Sequence, residues 1–282
     1  MSDPRSTPFN GQTAHVSLRG QVAAERFVEG HDERVVIPVA DLCRTAGGSR
    51  DRQLILGEAF TVLDQSEDWS FGMASRDGYV GWIETAALSP STPEPTHVIS
   101  AHQSYAKSTT GLKPMGTVTP LSLGSRLTVL SETEGWADIY WEGDRQAHVS
   151  MQHLTQLPWI PPDPVALAER YLGAPYLWGG NSSFGLDCSA LVQSALQAVG
   201  IPCSGDSDRQ AASFGAPLPD DDPIQRGDLL FWKGHVAMAV DAEIMIHASA
   251  HFMAVVYEPI ADAIARIERQ GDGPMTTRKR PR

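Results

Sequence analysis

An internal repeat in the first half of the chain constrains its fold most. Residues 57–63, Gly-Glu-Ala-Phe-Thr-Val-Leu, are echoed 67 positions later by residues 124–130, Gly-Ser-Arg-Leu-Thr-Val-Leu. In each copy a tryptophan, Trp69 or Trp136, follows the glycine by twelve residues. The surrounding short apolar runs, broken by Gly, Ser and Asp, are typical of small all-β units. Duplication of a unit of about 60 residues predicts two small β-barrels rather than one sandwich.

Proline-rich segments divide the chain into domains. Residues 89–95, Ser-Pro-Ser-Thr-Pro-Glu-Pro, form a linker after the first barrel, and residues 157–162 form a second linker. The predicted divisions are an N-terminal extension over 1–32, a first barrel over 33–90, a second barrel over 96–157, a third domain over 163–270 and a basic tail, expected to be disordered, over 271–282.

The third domain is predicted to contain helices followed by strands. Asp163, followed by proline, supplies the N-cap of a helix that runs to Leu172. A glycine-rich loop over 176–185 leads into a second helix that starts at Cys188 and stops before Gly200. Strand-like runs follow at 228–232, 235–240 and 243–248. Helices followed by an antiparallel meander predict an α+β domain.

Cys188 is the candidate nucleophile. Its position places it among unpaired backbone N–H groups at the positive end of a helix dipole, and both effects lower the pKa of a thiol. Most free cysteines are instead buried and inert, so position alone leaves a structural role open. Asp187, just before it, is a predicted N-cap.

Two histidines could serve such a nucleophile, which needs a base and a group that orients the base. His235 and His247 lie on neighbouring predicted strands. Their rings face each other only if His247 lies opposite Ala237, which requires a connecting loop with an odd number of residues. A two-residue turn at Asp241 and Ala242 would place the rings on opposite faces, and the sequence leaves this register open.

Composition excludes several classes of function. The net charge of −12 opposes binding to nucleic acid or to an anionic membrane. The sequence contains no run of about 18 apolar residues, the length that a membrane-spanning helix would need. The N-terminus lacks the apolar stretch of a secretory signal, and the three cysteines cannot all pair, which favours a reducing compartment. We therefore expect a cytoplasmic protein. No pair of cysteines has zinc-ligand spacing, so we expect no metal and no cofactor.

Five motifs in the third domain keep a distinctive order and spacing. They are Tyr-Leu-Trp-Gly-Gly at 176–180, Asp-Cys-Ser at 187–189, Gly-Asp-Leu-Leu-Phe-Trp at 227–232, Gly-His-Val at 234–236 and Ile-His-Ala-Ser at 246–249. In these motifs the domain resembles the NlpC-type peptidases, the papain-like cysteine endopeptidases of bacterial murein. The first copy of the repeat, with Gly-Tyr-Val-Gly-Trp at 78–82, resembles bacterial SH3-like domains, and the second copy lacks that last motif.

The combined resemblance implies an α+β multidomain fold, with two small SH3-like β-barrels followed by a papain-like α+β cysteine peptidase domain. Within that family it points to the cytoplasmic γ-D-glutamyl-L-diamino acid endopeptidases, which are dipeptidyl-peptidase VI-like. It implies Cys188 as the nucleophile, His235 as the general base and acid, and His247 as the residue that orients His235. Tyr176 would place its hydroxyl beside the sulfur and help the backbone N–H of Cys188 to bind the oxyanion.

The resemblance also implies a set of substrate contacts. Asp187 and Ser189 flank the nucleophile, and a carboxylate there suits a free α-amine. Glu58 and Tyr79 of the first barrel match an acidic residue and a tyrosine that close one end of the groove in this subgroup. The competing interpretation makes Glu58 a solvated turn residue and Tyr79 part of the barrel core.

The loop after the Cys188 helix supplies two further matches. Asp206 and Ser207 correspond to additional substrate contacts. Ala190 stands where the family often has glycine, and Ser204 with Gly205 stands where it often has arginine. The second departure leaves open which group meets the carboxylate of the substrate.

The implied function is that of a thiol hydrolase in recycling of cell-wall peptides. It would cleave the bond between γ-D-glutamate and an L-diamino acid, diaminopimelate or lysine, in free murein peptides with an unblocked N-terminal L-Ala. The expected partner is that peptide, and the expected state is a monomer. One alternative is an amidase or acyltransferase of the same fold on another γ-glutamyl or lipid substrate. Another is a wall-binding module with an idle catalytic domain, which the intact Cys-His-His set opposes.

Overall fold

The computed structural model describes residues 3–90, 92–113, 116–141, 143, 147–219 and 221–282. Its internal contacts divide the chain into two units, 1–158 and 159–282. Within the described ranges, every helix is too short or too polar to cross a membrane.

The first unit consists almost entirely of strands, as the alternating apolar runs predict. Their bounds are β1 Thr13–His15, β2 Arg26–Val28, β3 His31–Val35, β4 Val39–Cys43, β5 Arg50–Ile55, β6 Ala59–Gln65, β7 Trp69–Ala74, β8 Val80–Glu84, β9 Leu88–Ser89, β10 His97–Ile99, β11 Gln103–Lys107, β12 Val118–Ser122, β13 Arg126–Leu127, β14 Val129–Thr133, β15 Trp136–Ile139, β16 His148–Ser150 and β17 Leu154–Gln156.

These strands form two separate cores. A seven-stranded sheet in the order β5-β4-β8-β7-β6-β3-β9 surrounds a core that includes Phe60 and Ile83. Two smaller sheets, β12-β11-β16-β15-β14 and β13-β10-β17, surround a second core that includes Leu121 and Val149. Each copy of the repeat thus has a main apolar core, as duplicated barrels require, and Leu63, Phe71 and Val80 form a smaller cluster in the first copy.

The repeat is also visible in the backbone. Gly57 and Gly124 both have a positive φ, of +83° and +87°, in the turn that precedes the next strand. Trp69 and Trp136 each begin a strand, β7 and β15. The glycines recur because an L-residue with a side chain rarely adopts this left-handed conformation.

The second unit places helices before an antiparallel sheet. The helices are α1 Pro164–Ala168, α2 Cys188–Ala198, α3 Ser207–Ser213 and α4 Ile260–Gln270. The strands are β18 Asn181–Ser182, β19 Gly185–Leu186, β20 Leu229–Trp232, β21 His235–Ala239, β22 Ile244–Ser249, β23 Ala254–Pro259 and β24 Thr277–Lys279. The main sheet has the order β23-β22-β21-β20-β24, and α2 packs against β21 and β22.

The prediction of a disordered basic tail is wrong. Residues 277–279 form β24, which pairs antiparallel with β20. Arg278 and Lys279 are buried and donate to backbone carbonyls of Asp222 and Gly215 respectively, while Arg280 forms an ion pair with the fully buried Asp228. The prediction assumed that the cationic side chains of the tail have no partners in the protein and stay solvated. Here carbonyl and carboxylate oxygens satisfy each cation, and the tail completes the sheet.

Candidate active site

The first turn of α2 presents Cys188, because Asp187 caps that helix. Asp187 Oδ1 accepts hydrogen bonds from the Ala190 N–H and the Ser189 hydroxyl, both at 2.8 Å. Its Oδ2 accepts the Gly179 N–H of the glycine-rich loop at 3.0 Å. The predicted capping role of Asp187 is therefore confirmed. The same carboxylate ties the loop to the helix and fixes the position of the nucleophile.

The electrostatics of Cys188 differ from the expectation based on the helix dipole. Burial raises the pKa of the Cys188 thiol to about 12, and the Asp187 carboxylate adds to the increase. The backbone N–H groups of Val236, Ser189 and Cys188 lower this pKa but do not outweigh the loss of solvation. A thiol with so high a pKa is protonated at pH 7, so a base must take its proton during attack.

The predicted base is His235, the residue before Val236 and the first residue of β21. Met238 pairs with Ile246 and Ala239 with Met245. The Val240 N–H donates to the Ile244 carbonyl at 2.8 Å, which leaves the three residues 241–243 as the loop. The loop is odd, as the hypothesis requires, and it places His235 Nε2 2.9 Å from His247 Nδ1. Burial lowers the pKa of His235 to about 3 and that of His247 to about 4, so both rings are neutral at pH 7.

Glu258 extends this pair, and the sequence analysis did not identify it. His247 is fully buried, and its Nε2 lies 3.1 Å from Glu258 Oε2. The 3.1 Å contact does not have the geometry of a hydrogen bond, and no other described residue gives that nitrogen one. Glu258 is held in turn by Arg266, whose Nε and Nη2 donate to its two oxygens at 2.8 and 2.7 Å.

This row of groups selects one tautomer of each histidine. A proton on His247 Nε2 is attracted by the Glu258 carboxylate, which leaves His247 Nδ1 as an acceptor. In that arrangement His235 carries its proton on Nε2, and the lone pair of its Nδ1 remains available to accept a proton. The sequence signal for Glu258 was a charged residue in an otherwise apolar strand. The strand pairing was needed to connect Glu258 with His247. His247 pairs with Val256, so Glu258, two residues further along β23, is a diagonal neighbour of His247.

We predict that Glu258→Gln lowers kcat about ten- to a hundredfold with a small effect on KM, because an imidazolium forming on His235 loses a nearby negative charge. The Glu258 carboxylate raises the pKa of His235. Its loss lowers that pKa further, so the acid limb of the pH–rate profile shifts to lower pH. An unchanged limb in initial-rate assays between about pH 2 and 7 would mean that Glu258 only supports the fold. Arg269→Gln, on the exposed face of α4, is the control.

Four other predicted site residues lie in the same unit. Burial raises the pKa of Tyr176, and electrostatic interaction with Cys188 and Asp187 adds to the increase. Its backbone forms a bridge with Leu186, two residues before Cys188. Ser189 is buried with its hydroxyl on Asp187. Asp206 has a positive φ of 63° and precedes Ser207, the first residue of α3.

A further residue connects α3 to the nucleophile helix. Gln210 is fully buried, and its Nε2 donates to the backbone oxygens of Ser189 and Ser204 at 2.9 and 3.0 Å. Gln210 therefore positions the loop that carries Asp206 and Ser207 against the first turn of α2. Substrate contact by Tyr176, Asp187, Ser189, Asp206 and Ser207 stays a prediction.

The two remaining predicted site residues lie in the first unit. Glu58 accepts the Arg76 guanidinium at 2.6 Å and the Ile55 N–H at 2.9 Å, so it is a paired rather than a solvated carboxylate. Tyr79 is 2% exposed inside the first barrel core, with the Arg52 guanidinium 5.3 Å from its ring centre. Tyr79 therefore lies in the barrel core, as the competing interpretation held. Its side chain offers almost no surface to a ligand.

Among the residues that the structure describes, no group of three or more His, Cys, Asp or Glu side chains is arranged to hold a metal ion. The chemistry that this site can perform with its own groups is nucleophilic acyl transfer by a thiol.

Comparisons with known proteins agree with this geometry. Residues 173–266 match the NlpC/P60 family, and residues 42–88 match the bacterial dipeptidyl-peptidase Sh3 domain. The gamma-D-glutamyl-L-lysine dipeptidyl-peptidase of Bacillus subtilis is 28% identical over 239 residues, or 77% of this chain and 76% of that protein. The protein of the same name from Bacillus cereus is 26% identical over 234 residues, or 72% of this chain and 68% of that protein.

A solved structure supports the fold. The crystal structure of an NlpC/P60 family protein from Bacillus cereus superposes with a TM-score of 0.70 and covers 89% of this chain and 99% of that chain. Sequence identity in that comparison is 20%, so it bears on the fold alone. The predicted fold class, SH3-like domains followed by a papain-like α+β domain, is confirmed.

Proposed function

We propose that this cysteine peptidase of the NlpC/P60 family, which also carries a bacterial dipeptidyl-peptidase Sh3 domain, cleaves free murein peptides. The bond is the one between γ-D-glutamate and an L-diamino acid, and the peptide carries an unblocked N-terminal L-Ala. The names of the two Bacillus relatives support this choice of bond.

The observation that carries the proposal is the contact between His235 and His247 behind a helix-start cysteine. The 2.9 Å hydrogen bond between the rings leaves Nδ1 of His235 as the only nitrogen that can accept the Cys188 proton. A neutral thiol beside a neutral, oriented imidazole is a base-activated nucleophile.

The reaction follows from these positions. The Cys188 Sγ–H proton moves to His235 Nδ1 while the sulfur bonds to the γ-carbonyl carbon of D-glutamate. We assign the Cys188 N–H and the Tyr176 hydroxyl to the oxyanion. His235 then gives the proton to the amine of the diamino acid, and the C–N bond breaks to leave a thioester. Water, deprotonated by His235, hydrolyses the thioester and releases L-Ala-γ-D-Glu.

We also propose that the protein acts as a monomer in the cytoplasm, in recycling of cell-wall peptides. The three cysteines are free, which fits a reducing compartment. A substrate with a free α-amine also fits peptides that have already been released from the wall.

The experiment that tests the function compares a free and a blocked amine. L-Ala-γ-D-Glu-L-Lys and L-Ala-γ-D-Glu-diaminopimelate are incubated with the protein, and release of L-Ala-γ-D-Glu is followed by mass spectrometry. We predict that N-acetylation of the alanine slows release about a hundredfold, because the neutral amide loses the charge-assisted hydrogen bond that the ammonium would make to a carboxylate.

Two controls accompany this test. Glu58→Gln is expected to reduce the discrimination between free and acetylated peptides, whereas Glu84→Gln, an exposed carboxylate of the same barrel, is expected to preserve it. Absence of the dipeptide from the products contradicts the proposed function. Transfer of the acyl group to an added amine in place of water would favour the acyltransferase alternative.

A further inference from the structure

A cavity of about 690 Å³ opens beside His235, within the unit 159–282. We call it the histidine-side cavity and define it by Lys233, His235, His251, Arg266, Gln270 and Asp272, which line it together with Tyr176 and Trp178. Its walls are the turn between β20 and β21, the turn between β22 and β23, and the C-terminal end of α4. A volume of this size accommodates an amino acid with a long side chain.

The position of the cavity identifies which half of a substrate it would hold. In the proposed reaction His235 gives its proton to the departing amine, so the leaving amino acid must lie on the side of His235. Lys233 precedes His235 by two residues, in the turn that joins β20 to β21. Its Cα is therefore within about 8 Å of that of His235, and its side chain is long enough to reach the departing residue.

Two cationic side chains line the cavity. Arg266 is held in place by its neighbours, and Lys233 is exposed. Arg266 is mostly buried, donates to Glu258 and to Gln270 Oε1, and lies over the Phe252 ring at 5.5 Å. Gln270 Nε2 is 3.0 Å from His251 Nδ1, which extends this row along the wall. Lys233 is exposed, and within the described ranges its ammonium has no ion-pair or hydrogen-bond partner.

The cavity also contains one carboxylate, that of Asp272, just after the end of α4. A lysine side chain ends in an ammonium alone, which Lys233 and Arg266 repel. A diaminopimelate side chain ends in a carboxylate and an ammonium on the same carbon. That pair matches a wall with both signs of charge, because the carboxylate can meet Lys233 while the ammonium meets Asp272.

We propose that the histidine-side cavity binds the leaving diamino acid, and that Lys233 pairs with the carboxylate at the end of its side chain. The chain thereby favours diaminopimelate over lysine as the residue after γ-D-glutamate. This inference rests on the proposed function and adds to it the residue that sets specificity on the leaving side.

The test measures kcat/KM for L-Ala-γ-D-Glu-meso-diaminopimelate and L-Ala-γ-D-Glu-L-Lys. One charge-assisted hydrogen bond corresponds to about a ten- to hundredfold preference, and we expect the diaminopimelate peptide to be favoured by that factor. Lys233→Ala is expected to remove the preference by slowing that peptide alone, and Lys233→Arg to retain it. Arg269→Ala is the matched control, because it removes a cation that does not line the cavity. The Arg269 Nε donates to the Ala265 carbonyl oxygen on the same helix.

The outcomes separate this inference from the proposed function. Equal rates for the two peptides, or a preference for lysine, overturn the inference while the proposed function stands. An equal loss on both peptides in Lys233→Ala also overturns it, because Lys233 would then meet the α-carboxylate that both peptides share. Failure to cleave either peptide overturns the proposed function and this inference with it.

Discussion

Replacement of Cys188 by alanine is expected to reduce release of L-Ala-γ-D-Glu by about ten-thousandfold or more. The sulfur forms the thioester, and no other group in this site can replace it, so removal of the nucleophile leaves only binding and oxyanion contacts. The measurement is the initial rate on the tripeptide, with folding checked by circular dichroism. Cys188 is buried and small, so alanine fits the same space and the helix start is preserved by Asp187.

The matched control is Cys203→Ala. Cys203 is also a buried cysteine of the same unit outside any disulfide, and its sulfur donates a hydrogen bond to the Ser204 carbonyl oxygen. Its backbone oxygen, which Gln193 and Gln197 both use as an acceptor, remains after the substitution. We expect wild-type rates within a few-fold for this variant. Loss of activity in Cys203→Ala with retention in Cys188→Ala would remove the assignment of the nucleophile.

Removal of His247 is expected to have the second largest effect. In His247→Ala the Nε2 proton of His235 loses its acceptor, so His235 can rotate or present the protonated nitrogen to the thiol. Loss of a residue that orients a catalytic histidine lowers kcat by about a hundred- to ten-thousandfold. The effect should fall on kcat rather than on KM, since His247 is fully buried behind His235 and does not reach a ligand.

His247→Asn separates orientation from packing. An asparagine carbonyl can accept the His235 Nε2 proton, so this variant is expected to recover at least about tenfold of the activity lost in His247→Ala. If both variants lose the same activity and also unfold at lower urea concentration, His247 contributes only to the core. If neither loses activity, the assigned role of His247 is wrong.

Much of the fold could be predicted from the sequence because its signals are local. The glycines at 57 and 124 and the tryptophans at 69 and 136 mark the same turns and strands in both copies of the repeat. The helix that starts at Cys188 follows from its cap and its apolar period. These features depend on residues only a few positions apart, so propensity and pattern are sufficient to identify them.

The tail shows where local patterns fail. A run of arginine and lysine resembles a solvated segment, yet Arg280 pairs with Asp228, 52 positions away. The same holds for Glu258, whose strand pattern gave no reason to connect it with His247. Both errors concern buried charges, and the state of a buried charge depends on partners that are distant in sequence.

The sequence by itself determined the duplicated barrels and the α+β domain, and it singled out Cys188, His235 and His247 as candidates for catalysis. Only the tertiary structure decided the odd loop between β21 and β22, the proximity of Glu258 to His247 and the burial that raises the pKa of Cys188. The physical reason is that strand register and solvation are properties of the packed chain. A shift of one residue would turn His247 away from His235, and the helix dipole at Cys188 is outweighed by a burial that no local pattern records.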